Sequence, residues 1–336
     1  MYFKDSTFDT RDLTGNDILL NHCVLDSTNI IVPTGDSKII ICDSSLHNVK
    51  IISDNEGICN IILRNNLIQD SVIMIHKHNM SLENTFVTLI ANTIRNLTCE
   101  PLIHKDLIHA FDNSGLNFDS HTESWYDYVN HPLIKPLKYS ELKGDTQLDV
   151  KNIMQNPELP TGCEITSLTI VLNYLGYIVS KEEMVNYLDK APIGEANPWI
   201  KFIGSPFDPE SYGCYTTCLE KAAVAFKENN KAHYQVESHV GLIPEELYSE
   251  IDKGYPVIVW ANMSMMTPRE STLWSFDGHP FRWRANEHCL VLIGYDKENV
   301  YMADPLKGNV AYNKSLFELR YQEMYAQSLI LEEGQL

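Results

Sequence analysis

Between about Leu19 and Cys99 the sequence is a succession of short β-branched runs that are separated by Asn, Asp, Gly and Ser. Each run has the length and composition of a β-strand, and the segment lacks the apolar spacing that is typical of a helix. The runs begin at Cys23, Asn29, Lys38, Val49, Cys59, Ser71 and Thr85. This pattern predicts an all-β N-terminal domain over residues 1–99.

The spacing of these runs indicates how the strands are arranged. They recur every ten to fifteen residues without long connections, and asparagines such as Asn48, Asn66 and Asn92 stand at the breaks. Asparagine tolerates the left-handed backbone conformation that tight corners need. We expect a right-handed β-solenoid ahead of a β-sandwich, although a sandwich with the same strand spacing would have a similar sequence.

Charge and composition restrict the classes of function. The chain has 336 residues, of which 26 are basic and 45 acidic, so its formal charge is −19. This charge would repel a nucleic acid backbone or an anionic membrane, and no cluster of Lys or Arg is large enough to reverse it locally. The first residues do not resemble a secretory signal, and no apolar run reaches the roughly 18 residues of a spanning helix. We therefore expect a cytoplasmic protein that neither binds nucleic acid nor inserts into a membrane.

The character of the chain changes after a mixed segment, residues 100–146, which we interpret as a connection. A capping box at Ser180-Lys-Glu-Glu183 predicts one helix, a second is expected from about Thr217 to Lys227, and a third from Pro244 to Gly254. Apolar strands then follow at Tyr255–Ala261, His288–Tyr295 and Asn299–Ala303. Helices followed by antiparallel strands predict an α+β domain over residues 147–336.

The first candidate for chemistry is Cys163. Apolar residues recur three or four apart from Ile165 to Leu175, so a helix should begin close to Cys163 and end at Gly176. In the first turn of a helix, unpaired amides and the helix dipole stabilise a thiolate, which would lower the pKa of this thiol. The alternative is that Cys163, like most cysteines, is a small buried apolar residue.

A thiol nucleophile needs a base, a group that orients the base, and donors for the oxyanion. His288 opens one strand and Asp304 ends the next, so an antiparallel hairpin would bring the two close together. They face the same side only if the loop has an odd number of residues, because a two-residue loop at Lys297-Glu298 would place them on opposite faces. Gln155, eight residues before Cys163, is the side-chain amide best placed to donate to an oxyanion.

A series of motifs in the second half of the chain resembles one family. Gln155, Leu159-Pro-Thr-Gly-Cys163-Glu, Leu172-Asn-Tyr-Leu-Gly176, Gly254-Tyr-Pro-Val-Ile-Val-Trp260, Glu287-His288 and Val300-Tyr-Met-Ala-Asp304-Pro305 follow in the order of the C39-like branch of the papain-like cysteine peptidases. The resemblance spans about Leu148 to Leu331. It implies a papain-like fold, with Cys163 as nucleophile, His288 as general base, Asp304 orienting the imidazole and Gln155 in the oxyanion hole.

The resemblance leaves the reaction open. C39 relatives include enzymes that cut leader peptides, and looser papain-like relatives use the same thioester chemistry for acyl or peptidyl transfer. We expect a cysteine peptidase that cleaves an amide bond in a peptide or protein and needs neither a cofactor nor a metal. The alternatives are a transferase with the same triad and a catalytically inactive module that only binds peptides.

The long segment from Asn262 to Asn286 shows no evident secondary structure in the sequence and carries Trp274 and Trp283. We interpret it as a flap that faces the substrate; the alternative is a loop whose aromatic side chains cover the core. Trp199, Tyr212, Gly213 and Trp260 are further candidates for substrate contacts. The N-terminal domain is a candidate for binding a protein partner or for self-assembly.

Overall fold

The computed structural model describes residues 1–11, 17–32, 37–53, 59–75, 85–100, 108–111, 113, 142–276 and 279–333. The chain divides into two compact units, Met1–Asn130 and His131–Leu336. Each unit is described by itself below.

The described part of the first unit is a β-solenoid. Its strands, in chain order, are β1 Tyr2–Lys4, β2 Thr7–Asp9, β3 Ile18–Asn21, β4 Val24–Asp26, β5 Asn29–Ile31, β6 Ser37–Cys42, β7 Ser45–His47, β8 Lys50–Ser53, β9 Cys59–Arg64, β10 Leu67–Gln69, β11 Ser71–Ile75, β12 Thr85–Ile90, β13 Thr93–Ile94, β14 Leu97–Glu100 and β15 Ile108–Phe111.

Every third strand of the solenoid joins the same parallel sheet. The orders are β1-β4-β7-β10-β13, β2-β5-β8-β11-β14 and β3-β6-β9-β12-β15. Tyr2 thus pairs with Val24, Val24 with Ser45 and Ser45 with Leu67, so the chain returns to the same sheet about 22 residues later. The expectation of a solenoid rather than a sandwich is confirmed, because each coil adds one strand to each of three sheets. The right-handed sense stays a prediction.

The solenoid interior is mainly apolar and contains a row of stacked polar side chains. Isoleucines and leucines from all three sheets form the buried core. Beside them, Asn92 Oδ1 accepts from the backbone N–H of Asn66 at 2.9 Å, and Asn92 Nδ2 donates to the carbonyl of Leu63 at 2.7 Å. Asn66 repeats both bonds one coil earlier, with Ser44 and Ile41. The Oδ1 atoms of this ladder give the backbone N–H groups of Ser44 and Asn66 an acceptor at the corners, where the strands are interrupted.

The ladder corrects one detail of the sequence interpretation. Asn48 has the left-handed φ of 51° that we expected at corners, and Ser27 and Asp70 adopt the same conformation one coil before and after it. Asn66 and Asn92 do not have a positive φ. They are buried, and the left-handed conformation is adopted by the residue before each of them, Asn65 and Ala91.

The second unit is an α+β domain, as the sequence predicts. Its helices are α1 Cys163–Tyr174, α2 Lys181–Met184, α3 Thr216–Asn230, α4 Pro244–Lys253 and α5 Lys314–Glu323, with short 3-10 turns at Val185–Tyr187 and Met263–Met265. Its strands are β16 Thr146–Gln147, β17 Lys190–Ala191, β18 Phe202–Ile203, β19 Tyr234–Val240, β20 Val257–Asn262, β21 Arg269–Phe276, β22 His279–Ala285, β23 Glu287–Tyr295, β24 Asn299–Asp304, β25 Gly308–Asn313 and β26 Gln327–Glu333.

Local signals position several helices where we expected them. The capping box of Ser180 and Glu183 is formed in both directions and opens α2. Pro244 begins α4, and Gly254 ends it with a left-handed φ of 99°. Both signals act within a few residues, which is why the sequence alone reveals them.

The main sheet of this domain is antiparallel and has the order β19-β26-β20-β23-β24-β25, with β16 paired to the end of β23. Helix α1 is tied to the central strand β23 by a hydrogen bond of 3.2 Å from Ser167 Oγ to the carbonyl of Cys289. This contact brings the start of α1 beside the start of β23, where Cys163 and His288 lie.

A β-bulge decides which way the central hairpin presents its side chains. Near the turn, Tyr295 pairs with Val300, and the four residues between them would place His288 and Asp304 on opposite faces. The register shifts by one residue between Leu292 and Gly294, so that further along Val291 pairs with Ala303. The extra residue restores the parity, and His288 and Asp304 face the same side.

The segment from Asn262 to Asn286 is a hairpin rather than the irregular loop that we expected. Strands β21 and β22 pair antiparallel, with Trp274 opposite Phe281. The sequence carries the signal for this hairpin, since Asp277-Gly278 stands between two aromatic runs. Aromatic and polar residues alternate along both strands, as in a sheet with one buried face.

The predicted division into residues 1–99, 100–146 and 147–336 stays a prediction, with two additions from the structure. Strand β15, Ile108–Phe111, pairs with β12 and so extends the solenoid beyond residue 99. Strand β16, Thr146–Gln147, already belongs to the sheet of the α+β domain. In the part of the chain that the structure describes, no helix combines the length and the apolar character that crossing a bilayer requires.

Candidate active site

Cys163 is the first residue of α1, as the spacing predicts. Gly162 precedes it as the N-cap and supplies no side chain to cap the helix. The thiol is buried and donates to Glu164 Oε2 at 3.2 Å. Among the described residues no hydrogen bond joins Cys163 to His288.

The surroundings of Cys163 reverse the expected shift in the pKa of its thiol. Burial raises this pKa most, and the negative charges of Glu164 and Glu287 raise it further, while the N–H of Cys289 lowers it less. The predicted lowering by the start of the helix is therefore wrong for this conformation. A thiolate would form only if Cys163 turned away from these carboxylates or if they lost their charge.

His288 and Asp304 form a buried pair. His288 Nε2 lies 2.7 Å from Asp304 Oδ1, and each residue is only 1% exposed. The same carboxylate accepts from the backbone N–H of Leu306 at 2.8 Å and from Tyr312 Oη at 2.8 Å. Because Nε2 faces Asp304, the other ring nitrogen, Nδ1, is left for a reacting partner.

The hydrogen bonds of Asp304 also set its pKa. Burial raises the pKa, but the hydrogen bond and charge of His288, together with the donors Leu306 and Tyr312, outweigh burial, so the pKa lies below its usual value. Asp304 is therefore a carboxylate near neutral pH. Its position suits a group that orients and stabilises a protonated imidazole.

Gln155 lies in a loop that is held against the end of β24. Its backbone N–H donates to the carbonyl of Pro305 at 2.8 Å, and its side-chain Nε2 donates to the carbonyl of Pro160 at 2.9 Å. The amide of Gln155 carries two protons, so one remains for a further acceptor. The structure thus brings the loop of Gln155 to the same end of the sheet as Asp304.

Lys181 supports this loop, which the sequence interpretation did not foresee. Its buried ammonium group donates to the carbonyls of Met154 and Gln155 and to Glu158 Oε2 at 2.5, 2.8 and 2.8 Å. The contact with Glu158 is a partly exposed salt bridge. The main effect of Lys181 is to donate hydrogen bonds to two backbone carbonyls of the loop. The sequence shows only a lysine at the first position of a helix.

A pair of buried carboxyl groups was also missed. Glu164 follows Cys163, and Glu287 precedes His288, and both side chains are at least nine-tenths buried. Burial raises the pKa of each carboxyl, and the charge of Glu164 raises the pKa of Glu287 further. An acidic residue next to each candidate catalytic residue, inside an otherwise apolar helix start or strand, is the sequence signal that could have revealed them.

These carboxyl groups bear on whether the site could hold a metal. Ligand atoms of Cys163, Glu164 and Glu287 all lie within 4.8 Å of one another. A metal at this cluster would bind the sulfur of the candidate nucleophile and so would not assist its attack. Our expectation that the reaction needs no metal therefore stays a prediction.

Most of the predicted substrate contacts are buried aromatic residues. Trp260 is fully buried in β20, where its indole N–H donates to the carbonyl of Cys214 at 3.0 Å, so it has no surface to offer a substrate. Trp199 is 5% exposed and lies 4.8 Å from Tyr215 between ring centroids. Both residues contribute to the core of the domain.

The hairpin β21–β22 turns its aromatic face inward. Trp283 stacks on Tyr215 with ring centroids 5.4 Å apart, and the indole N–H of Trp274 donates to the carbonyl of Ala196 at 2.8 Å. These aromatics cover the core, which was the alternative to a flap facing the substrate. The half-buried Tyr212 lies at the edge of this cluster, with its hydroxyl 2.5 Å from Thr272 Oγ1.

Gly213 has a structural reason to be glycine. Its φ is 151°, and an added Cβ would lie 2.2 Å from Glu164 Oε1. The backbone here approaches the buried carboxylate closely, because the N–H of the next residue, Cys214, donates to Glu164 at 2.6 Å. Gly213 is therefore close to the candidate site, although a contact with substrate stays a prediction.

The comparisons with known proteins place this domain. The chain is 28% identical over 202 residues to the uncharacterized protein YvpB of Bacillus subtilis (strain 168), a match that covers 57% of this chain and 79% of the relative. The crystal structure of a candidate C39-like peptidase from Bacillus anthracis is 32% identical and matches with a TM-score of 0.52. This match covers 57% of the present chain and 99% of the other.

The family comparison agrees with the order of motifs and with the fold of the second unit. The model of the Peptidase_C39 like family matches residues 147–329, which is more than half of the chain. The matched region includes Cys163, His288, Asp304 and Gln155. The chain therefore belongs to the Peptidase_C39 like family.

Proposed function

We propose that the chain is a cysteine peptidase that cleaves an amide bond through an acyl-enzyme on Cys163. The observation that carries the proposal is the buried pair of His288 and Asp304, which faces the same side of the hairpin and lies beside the start of α1. A carboxylate that accepts three hydrogen bonds and points at one imidazole nitrogen is suited to hold a base in position.

The reaction begins with a rotation of the Cys163 side chain away from Glu164. The thiol proton passes to His288 Nδ1, and the sulfur attacks the substrate carbonyl to form a C–S bond. The negative charge on the carbonyl oxygen is stabilised by the second proton of Gln155 Nε2 and by the N–H of Cys163 at the start of α1.

The tetrahedral intermediate collapses when His288 returns its proton to the leaving nitrogen and the C–N bond breaks. Water then attacks the thioester with His288 as general base, releasing the acid and restoring the thiol. With an amine in place of water the same steps give acyl transfer, so the acceptor alone separates the peptidase from the transferase.

The experiment is a search for new peptide ends in a cell-derived peptide library after incubation with the full chain. Mass spectrometry should find ends that appear with the wild type, disappear with Cys163→Ala and persist with Cys218→Ala, which removes another buried thiol from α3. Addition of a simple amine such as glycine amide tests for transfer products. Identical peptide sets for the wild type and Cys163→Ala would contradict the proposed catalysis and favour a module that only binds peptides.

The role of the solenoid in binding a partner or in self-assembly stays a prediction. Light scattering on the full chain over a range of concentrations tests self-assembly directly, and a constant monomer mass would leave only the binding of a different protein.

A further inference from the structure

The group of Cys163, Glu164 and Glu287 has the composition of a metal site. Its three side chains come from two elements, since Cys163 and Glu164 begin α1 and Glu287 begins β23. A sulfur and two carboxylate oxygens lie within 4.8 Å of one another, and Cys163 Sγ is already 3.2 Å from Glu164 Oε2. All three residues are buried. The cluster is therefore not a chance grouping of acidic side chains on the surface.

Glu287 is the observation that points to a ligand. It is 5% exposed, and its carboxyl group makes no hydrogen bond with any residue that the structure describes. Its Oε1 atom is fully buried without a partner. A buried carboxyl group in this state is unfavourable unless a proton or a cation compensates it.

Glu164 is held in place from the other side. Its Oε1 accepts from the N–H of Cys214 at 2.6 Å, which leaves Oε2 turned toward Cys163. Gly213 provides the space, because any side chain at this position would collide with Glu164 Oε1 and come within 3.4 Å of Glu287 Oε2. Metal ligands are commonly oriented by such a second hydrogen bond.

We propose that Cys163, Glu164 and Glu287 bind one thiophilic divalent cation, for which Zn²⁺ is the best match. Thiolate and carboxylate oxygen together suit Zn²⁺, whereas Ca²⁺ and Mg²⁺ take oxygen ligands only. Zinc bonds of about 2.3 Å to sulfur and about 2.0–2.2 Å to oxygen require the ligand atoms to close in slightly. Glu287, which has no hydrogen bond to break, is free to make that adjustment.

Binding proceeds by exchange of a proton for the metal. The S–H bond of Cys163 breaks, the sulfur forms a bond to Zn²⁺, and the proton passes to solvent together with any proton held by the two carboxyl groups. The hydrogen bond from the thiol to Glu164 is replaced by coordination of both groups to the same ion. Water completes the fourth position.

The consequence for activity rests on the proposed function. A sulfur bound to Zn²⁺ cannot attack a carbonyl, so the ion would hold the peptidase in a reversible inactive state. In this state the ligands other than the sulfur are the two glutamates, and His288 is not a ligand. It therefore differs from a zinc ion bound between Cys163 and His288.

The test measures binding of Zn²⁺ itself to the full chain, by competition with a chromophoric chelator, and needs no substrate. We expect one Zn²⁺ per wild-type chain, no competition from millimolar Mg²⁺ or Ca²⁺, and slower alkylation of Cys163 when zinc is present. Cys163→Ser, Glu287→Gln and Glu164→Gln should each raise the dissociation constant at least about tenfold. The thermal midpoint of each variant without metal shows whether it is folded.

Two further variants separate the possible sites. His288→Ala should retain zinc binding, and Glu182→Gln, which removes a carboxylate from the surface of α2, should leave it unchanged. Absence of zinc binding in the wild type, or binding that survives Glu287→Gln and Glu164→Gln but is lost in His288→Ala, would overturn the proposal. Zinc binding with the expected ligands in a chain that cleaves no peptide would contradict the proposed function and leave this site intact.

Discussion

Replacing Asp304 by asparagine removes the negative charge next to His288 and nearly preserves the shape of the side chain. The amide oxygen can take the place of Oδ1 and accept from His288 and Leu306, while the amide nitrogen faces the hydroxyl of Tyr312, which can then act as acceptor. The substitution therefore separates the effect of charge from the effect of geometry.

The size of the charge effect follows from the short, buried contact. Nε2 and Oδ1 are 2.7 Å apart, which puts the centres of an imidazolium and a carboxylate about 4 Å apart. At an effective dielectric constant of about 20 their attraction is about 4 kcal/mol, so the population of the thiolate–imidazolium pair should fall by about 10³ in Asp304→Asn. Both residues are buried, so salt should weaken this effect little.

The assay is the rate of alkylation of Cys163 by iodoacetamide from pH 6 to 9, followed on the Cys163 peptide by mass spectrometry. The thiol must turn away from Glu164 in both proteins, so this cost cancels in the ratio of the rates. Asp296→Asn is the matched control, since it makes the same charge change at the turn of the same hairpin, where Asp296 accepts from Tyr301. Equal rates in the wild type and Asp304→Asn would refute the idea that this pair activates Cys163.

Three further outcomes are expected. Asp304 has a lowered pKa in the folded protein, so its stabilising contribution is present above its unfolded pKa of about 3.9 and is lost as pH falls through the folded value. The free energy of unfolding should therefore fall less steeply with decreasing pH in Asp304→Asn than in the wild type. Asn92→Ala removes the acceptor of the Asn66 N–H and should lower the free energy of unfolding by about 1–3 kcal/mol in denaturant titrations. The control Asn29→Ala should cost less than about 1 kcal/mol, since among the described residues its side chain makes one long bond of 3.4 Å. Gly213→Ala should lower the thermal midpoint more than Gly194→Ala, because both have positive φ but only the first meets a buried carboxylate; equal shifts would show that the close contact relaxes freely.

Part of the candidate site was accessible from the sequence because it rests on local signals. Cys163 at the start of a helix follows from apolar spacing, and His288 and Asp304 follow from two strands that must be neighbours. The roles assigned to these residues came from the order of motifs rather than from spacing. Glu164 and Glu287 are direct sequence neighbours of Cys163 and His288. Their approach to each other, however, depends on the contact between α1 and β23.

The solenoid shows the same division. Strand-length runs were visible, yet the repeat of about 22 residues was not recognised, because the polar positions that repeat are occupied by Ser44, Asn66 and Asn92 rather than by one residue type. Each side chain of the ladder bonds backbone groups of the neighbouring coil. The sequence of a single coil therefore contains only one such residue, which is a weak signal.

What the sequence by itself determined is many of the elements and the identity of the candidate site residues, since capping boxes, helix stops and strand runs act over a few residues. What only the tertiary structure decided is the direction in which those side chains point. The bulge between Leu292 and Gly294 turns His288 and Asp304 to one face. Burial of the thiol, together with the charges of Glu164 and Glu287, raises the pKa of Cys163 where the sequence predicts that it is lowered. Register shifts and burial depend on partners far away in the chain, so no local pattern contains them.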